Sequence, residues 1–234
     1  MTLYSKRDDE TTSTATPLII DFFHDAVCGW CYVMSPRLRK VAEEIGVQVR
    51  HRTYILQDSR EQMVQVFGSM ARAKREILTH WEACAKQDDS QSIDIEGMRQ
   101  QGFEYPNGLL AAIACQAAHI LAGNLGHGDY FDAVQRAHLT QSRNIGDPAV
   151  LQDIAVAQGF DSEAFRAAFK SEAAYQRVMT DREEAQKLGI RSVPTLIVSS
   201  PRSGDVLGQL QTTSTEQLKS SLQAMVPVSP RSKA

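Results

Sequence analysis

The chain has 234 residues, of which 42% are hydrophobic and 23% are charged, and its formal net charge is −3. These values are typical of a globular protein and exclude a mainly disordered chain or a fibrous repeat. The slightly negative charge excludes the overall basic surface of many nucleic-acid-binding proteins. The four cysteines, Cys28, Cys31, Cys84 and Cys115, are too few for a fold held together by disulfides.

The amino-terminal segment, residues 1–16, is polar and lacks the apolar core of a secretory signal, so we expect a disordered tail. No apolar run approaches the roughly 18 residues that a membrane helix needs. The longest candidate, Leu109–Ala118, is too short. We therefore expect a soluble cytoplasmic protein with neither membrane nor nucleic-acid partners. In that reducing compartment a Cys-x-x-Cys pair is typical of a catalytic or metal-binding site.

The first elements alternate between strand and helix. The apolar run at 17–23 predicts a buried strand, followed by a short loop from His24 to Val27. A helix then extends from Cys31 to a glycine end at Gly46, and the alternation at 47–55 predicts a second strand.

The pattern is helical from residue 57 to 188. The spacing from Met63 to Trp81 predicts one long amphipathic helix, and a second runs from a cap at Asn107 to Ala122. Further helices are predicted around Tyr130 and after caps at three positions: Asp147, Asp161 and Ser171.

Strand character returns at 195–199, with a hairpin partner at 205–209. Thr213 and Glu216 offer a capping box for a last helix. The sequence therefore predicts an α/β fold of the thioredoxin type, with a large all-helical insertion between a βαβ half and a ββα half. The predicted divisions are a tail (1–16), a first core half (17–56), the insertion (57–188), a second core half (189–226) and a flexible tail (227–234).

The Cys28-Gly29-Trp30-Cys31 segment lies between a predicted strand and a predicted helix. The positive end of that helix stabilises a thiolate at Cys28. Cys31 lies one turn later, close enough to resolve a mixed disulfide. Trp30 would form a partly exposed apolar rim. Structural zinc is an alternative, although no second close cysteine pair is present, and Cys84 and Cys115 fit better as small core residues.

Two prolines accompany the pair. Pro36 lies inside the predicted first helix, where proline costs about 3 kcal/mol and needs a reason. Pro194 follows Val193 immediately before a predicted strand. A cis bond there would give a specific loop shape, but this segment by itself favours an ordinary strand-entry proline.

Together these residues resemble the DsbA-like branch of the thioredoxin superfamily, in particular its FrnE-type cytoplasmic members. The resemblance covers about residues 18–225. It implies that Cys28 is the exposed nucleophile and Cys31 the buried resolving cysteine. It also implies that Pro194 is a cis-proline packed against the pair. Val193 would present its backbone to a bound peptide, and the insertion would form a lid and one wall of the groove.

Three neighbours of the pair are candidates for tuning it. Asp25 would oppose the thiolate and protonated His24 would favour it, but Asp25 could equally brace the loop. Gly29 stands where many members of the family carry proline, which leaves the direction of electron transfer open. The remaining histidines show no metal-ligand spacing and are interpreted as structural or surface residues: His51, His80, His119, His127 and His138.

These features predict a thiol–disulfide oxidoreductase acting on protein, peptide or small-molecule thiols, with no metal or organic cofactor. Glutathione or a thioredoxin-type protein would serve as reductant. One alternative is a glutathione-using enzyme similar to the kappa transferases and isomerases. The other is a chaperone or binding module in which the cysteines act only as a redox switch.

Overall fold

The computed structural model describes residues 18–211 and 214–225, in which four strands form one mixed sheet. β1 (Ile19–His24) pairs in parallel with β2 (Gln48–Thr53) and antiparallel with β3 (Thr195–Ser199). β4 (Val206–Leu210) pairs antiparallel with β3, which gives the order β2-β1-β3-β4. Because β1 is central, its Ile20, Phe22 and Phe23 side chains are fully buried.

The crossover between the parallel strands is α1 (Gly29–Ile45), which begins directly after Cys28. Pro36 lies inside this helix, as predicted, and its side chain is exposed. α1 ends at Gly46, whose φ of +68° is the left-handed conformation that favours glycine at a helix end. The βαβ half predicted from the sequence is therefore confirmed.

The chain between β2 and β3 is helical. Its helices are α2 (Arg60–Phe67), α3 (Met70–Ala85), α4 (Ile95–Gln100), α5 (Leu109–Leu139), α6 (Pro148–Ala157), α7 (Ser162–Phe169) and α8 (Glu172–Lys187). α5 packs against β2 and against α6, α7 and α8, and the final helix, α9 (Thr215–Met225), packs on α1. The predicted thioredoxin-like fold with a helical insertion is confirmed.

A buried carboxylate joins the insertion to the sheet. Asp181 of α8 accepts hydrogen bonds from the Thr53 backbone and hydroxyl, both at 2.9 Å, and from Gln116 of α5 at 2.7 Å. Burial raises the pKa of Asp181, although these bonds and Arg52 favour its charged form. The end of β2 is thereby fixed to both α5 and α8.

Some predicted boundaries were wrong. The long helix expected from Met63 to Trp81 is two helices, because α2 ends at Gly68 (φ +82°) and Ser69 caps α3. α5 begins after Gly108, one residue later than expected, although the Asn107 side chain accepts a bond from the Leu109 backbone N–H at 3.0 Å, and α4 was not predicted. His24 is the last residue of β1 rather than part of a loop.

The predicted caps Asp147, Asp161 and Ser171 are confirmed, since each side chain accepts a bond from the first turn of its helix. Thr213, expected to cap the last helix, lies outside the described residues. At the start of α9, the Ser214 hydroxyl accepts a bond from the Gln217 backbone N–H at 3.3 Å.

α5 is long and apolar enough to cross a membrane by length and composition, with a mean hydropathy of 1.5 over its most apolar window. The prediction that no such run exists was wrong, because residues 109–139 form one helical element. That element is bent at Ala122 and Gly123, where the backbone is not helical. Buried residues on both sides of the bend, such as Ala117 and Tyr130, pack into the main core, which accounts for the apolar composition.

Candidate active site

Cys28 is the residue that immediately precedes the first turn of α1. Its backbone N–H donates to the Asp25 carbonyl at 3.1 Å, and its carbonyl accepts from Cys31 and Tyr32 at 3.1 and 3.2 Å. No acidic residue lies in the first turn of the helix. The thiol therefore stands at the positive end of a helix without a neighbouring carboxylate in that turn to offset it.

The segment before β3 closes over this thiol. The Val193–Pro194 peptide bond is cis, and the Cys28 thiol donates to the Val193 carbonyl with an Sγ–O distance of 3.6 Å. The expected meeting of the two distant segments is confirmed. Cys28 is only 8% exposed, so the expectation of an openly exposed nucleophile was wrong, although Cys31 is less accessible still, at 0%.

Cys31 is held as a thiol by its surroundings. Burial raises its pKa well above the ordinary value, and the nearby Cys28 and the Asp25 charge act in the same direction, whereas a hydrogen bond with the Asp25 backbone opposes them. Both cysteines of the pair are free thiols. Both cysteines are therefore buried, but Cys31 is fully enclosed whereas Cys28 keeps a small exposed fraction.

Asp25 lies beneath the pair and is 2% exposed. Its carboxylate accepts from the backbone N–H groups of Val27 at 3.2 Å and Leu56 at 2.8 Å, so the predicted bracing role is confirmed. Burial nevertheless raises its pKa to about 6. Gly108 makes room for this group, since a Cβ there would lie 2.4 Å from Asp25 Oδ1. The result is a carboxyl that can exchange a proton near neutral pH.

His24 does not tune the thiols as predicted. Its ring is buried against Phe131, at 3.7 Å between centroids, and next to His51 and His127. Burial lowers its pKa well below the ordinary value, so a protonated His24 is contradicted. No spacing pattern marks this cluster, because its members come from three different elements, β1, β2 and α5.

The side chain of Cys84 explains the glycine of the pair. A Cβ built on Gly29 would lie 2.9 Å from Cys84 Sγ, so the α3 thiol fills the space of a side chain at position 29. Burial raises the pKa of Cys84 to about 12 and raises that of Cys115 as well. Both are 1% exposed, which confirms them as core residues.

Two side chains that hold the active-site loop were not predicted from the sequence, Gln135 of α5 and Tyr105 of the segment before α5. The buried Gln135 amide donates to the carbonyls of Cys28 at 3.0 Å and Asp25 at 3.4 Å. Tyr105 donates to the Val27 carbonyl at 3.1 Å and lies 3.0 Å from His138 Nε2. The Trp30 side chain, by contrast, is partly exposed beside the cysteine pair, as predicted. The one sequence signal that could have identified Gln135 is a polar residue within an otherwise apolar helix.

Comparisons with known proteins agree with this geometry. A ClpXP adapter protein, SpxH of Shouchella clausii, is 24% identical over 96% of this chain and 73% of its own. The cytosolic disulfide reductase DsbM of Pseudomonas aeruginosa has 23% identity and a TM-score of 0.70, over 88% of this chain and 97% of its own. A 2-hydroxychromene-2-carboxylate isomerase has 17% identity and a TM-score of 0.60, over 88% and 94%.

At these identities the solved structures establish the fold and not the reaction. The family model establishes more than the fold, namely the family. The model of the DSBA-like thioredoxin domain matches residues 19–223, which include the cysteine pair and the cis-proline segment. The chain belongs to the DSBA-like thioredoxin domain family.

Proposed function

We propose that this protein is a thiol–disulfide oxidoreductase in which Cys28 is the nucleophile and Cys31 the resolving cysteine. One observation carries the proposal: the Cys28 thiol stands at the start of α1 and faces the Val193 carbonyl. A thiolate is the attacking species in disulfide exchange, and a helix start favours it. Family membership supports the general redox chemistry.

In the first step the Cys28 thiolate attacks one sulfur of a substrate disulfide. A Cys28–substrate disulfide forms, the substrate S–S bond breaks, and the second substrate sulfur leaves as a thiolate that takes a proton. Val193 and the partly exposed Trp30 flank this position. We propose that the Val193 backbone pairs with an extended peptide substrate, which would align its sulfur with Cys28.

In the second step Cys31 gives its proton to Asp25 and attacks the Cys28 sulfur. The mixed disulfide breaks, the remaining substrate sulfur leaves as a thiolate that takes the proton from Asp25, and a Cys28–Cys31 disulfide is left. Two electrons have passed from the protein to the substrate. The pKa of Asp25, about 6, suits a group that must accept a proton at neutral pH and return it. The reverse sequence oxidises a dithiol.

Two molecules of glutathione, or one thioredoxin-type dithiol, would restore the reduced pair. A glutathione-bound structure of the similar DsbM is compatible with the first. A 570 Å³ cavity beside α1 is lined by neither active-site cysteine, so we place the glutathione sulfur at the Cys28–Val193 surface instead. The proposed setting is the cytoplasm, and the proposed chemistry needs no metal or organic cofactor.

Reduction of insulin disulfides tests the proposal, with glutathione as electron source. The wild-type protein should be active, Cys28→Ser should lose at least about 100-fold because no nucleophile remains, and Cys115→Ser is the matched control. Full activity in Cys28→Ser would overturn the proposal.

An adapter role is a second candidate, suggested by the similarity to SpxH. β4 is an edge strand whose Val206 and Leu207 side chains are 53% and 42% exposed, as a partner-binding edge would be. Binding of the labelled protein to purified ClpXP tests this. An adapter should bind with both Cys28 and Cys31 replaced by serine and should lose binding in Leu207→Lys. No binding in either redox state would exclude it.

A glutathione transferase or isomerase of the kappa type is favoured only by fold, through the isomerase structure. In such an enzyme the reacting sulfur belongs to glutathione. Undiminished glutathione conjugation by Cys31→Ser would favour this alternative, and loss of all conjugation would exclude it.

A further inference from the structure

Three histidines from different elements converge on the side of β1 that carries the Phe22 ring. His24 ends β1, His51 lies in β2 and His127 lies in α5, and together we call them the histidine cluster. One ring nitrogen from each lies within 4.8 Å of the others, and all three side chains are buried. His51 Nδ1 and His24 Nε2 are 3.2 Å apart.

The third member of the cluster is unpaired. Neither ring nitrogen of His127 has a hydrogen-bond partner among the described residues, and its side chain is 0% exposed. A buried polar group without a partner is destabilising, and a phenylalanine would fill comparable space without that cost. An imidazole at this position therefore offers an unpaired nitrogen that a ligand would satisfy.

We propose that the histidine cluster binds one divalent transition-metal ion of the zinc class. Imidazole nitrogen is a preferred ligand of zinc and its neighbours, whereas calcium and magnesium require oxygen. Three histidines with one open position are an established coordination set for zinc. The proposal does not depend on the thiol chemistry, since neither Cys28 nor Cys31 belongs to the cluster.

The distances fit such an ion after a small movement. With zinc–nitrogen bonds of about 2.1 Å, the 3.2 Å between His24 and His51 corresponds to a nitrogen–zinc–nitrogen angle of about 100°, near the tetrahedral value. Tetrahedral coordination places two such nitrogens about 3.4 Å apart, so a His127 nitrogen at the 4.8 Å limit of the cluster has to close by about 1.4 Å. The bend at Gly123, four residues earlier in α5, lies close enough to permit it.

The protonation state of the cluster also suits a metal ion. Burial lowers the pKa of His24 and His127 well below the ordinary value and lowers that of His51 to about 3. The rings are therefore neutral at physiological pH, and neutral imidazole is the form that binds metal ions. The proton of the His24–His51 hydrogen bond has to move to the other nitrogen of its ring when an ion binds, which changes the tautomer and not the charge.

A 340 Å³ cavity between α1, β2 and α5 reaches one member of the cluster, His51, which lies in its wall. Gly128 lets α5 pack closely against the Nε2 side of this ring, since a Cβ there would lie 2.5 Å from His51 Nε2. Arg39 also lines the cavity, and its charge opposes a cation. Its ion pairs with Asp129 at 3.0 Å and Asp132 at 2.6 Å offset much of that charge. His119, with an unpartnered Nδ1, adjoins His127 and could extend the ligand set.

Zinc titration of the protein carrying Cys28→Ser and Cys31→Ser tests the proposal, because the serines remove competing thiolates. Calorimetry should show one equivalent of bound Zn²⁺, and the ion should raise the Tm. His127→Phe should weaken binding by about 100-fold or more and abolish the Tm increase. The exposed His80→Ala is the matched control and should bind like its parent.

His127→Phe should remain folded in EDTA, as judged by circular dichroism, because it removes unpaired polar atoms from the core. Should it fail to fold, His127→Gln, which keeps a polar side chain, replaces it in the same titration. Absence of zinc binding in the parent, or unchanged affinity in the folded His127 variant, would overturn the proposal.

Discussion

The active-site loop and the histidine cluster start from consecutive residues, Asp25 and His24, and they satisfy their polar groups in opposite ways. Around the loop, backbone N–H groups bind the Asp25 carboxylate, and the Gln135 amide and the Tyr105 hydroxyl donate to loop carbonyls, which leaves the Gln135 Oε1 atom without a partner. In the cluster, both nitrogens of His127 are unpaired, so that the whole side chain lacks a hydrogen bond. The difference indicates that the loop is held mainly by its own hydrogen bonds, whereas the cluster is arranged for a ligand.

The largest expected effect on stability comes from Asp25. Its native carboxyl keeps a proton up to about pH 6, while the unfolded chain releases it near 3.8. The unfolded state therefore binds fewer protons within that window, so the free energy of unfolding falls as the pH rises from about 4 to 6. The total loss is about 3 kcal/mol. Asp25→Asn should remove this slope and be more stable than wild type at pH 7.

Urea unfolding at several pH values measures the effect, with the exposed Asp153→Asn as control. A pH profile of Asp25→Asn that matches wild type would show that the Asp25 carboxyl titrates normally despite its burial.

The next effect tests the fit between Gly29 and Cys84. Gly29→Ala should destabilise the protein by about 1–3 kcal/mol, because the new methyl group overlaps the Cys84 sulfur. Adding Cys84→Ala should recover part of that loss, which a double-mutant cycle would detect. Gly102→Ala, with open space around it, is the control. Additive effects of the two substitutions would mean that the thiol does not set the choice of glycine.

The smallest effects have opposite signs in the two regions. Gln135→Leu should lower the free energy of unfolding by about 1 kcal/mol because it removes two hydrogen bonds, whereas His127→Phe should raise it by about 1 kcal/mol in EDTA. Urea unfolding of both variants checks the comparison. A His127→Phe that loses stability in EDTA would mean that the cluster is already well satisfied without an ion.

The sequence predicted the parts of the fold that depend on local chemistry. The cysteine pair at a helix start, Gly46, Asp147 and the strand at 195–199 all follow from patterns within a few residues. The break at Gly68 was missed because the apolar spacing continues across it. Residues brought together over long distances, such as Cys84 beside Gly29 or His127 beside His24, leave no spacing pattern to detect.

The central claim is that Cys28 forms the mixed disulfide with substrate, and trapping tests it most directly. Cys31→Ser cannot resolve the intermediate, so incubation with an oxidised peptide should give one covalent adduct, which intact mass and peptide mapping assign. We predict a single adduct on Cys28 that a reductant releases and that Cys28→Ser/Cys31→Ser does not form. An adduct on Cys84, or no adduct from a protein whose wild type reduces the same peptide, would contradict the account.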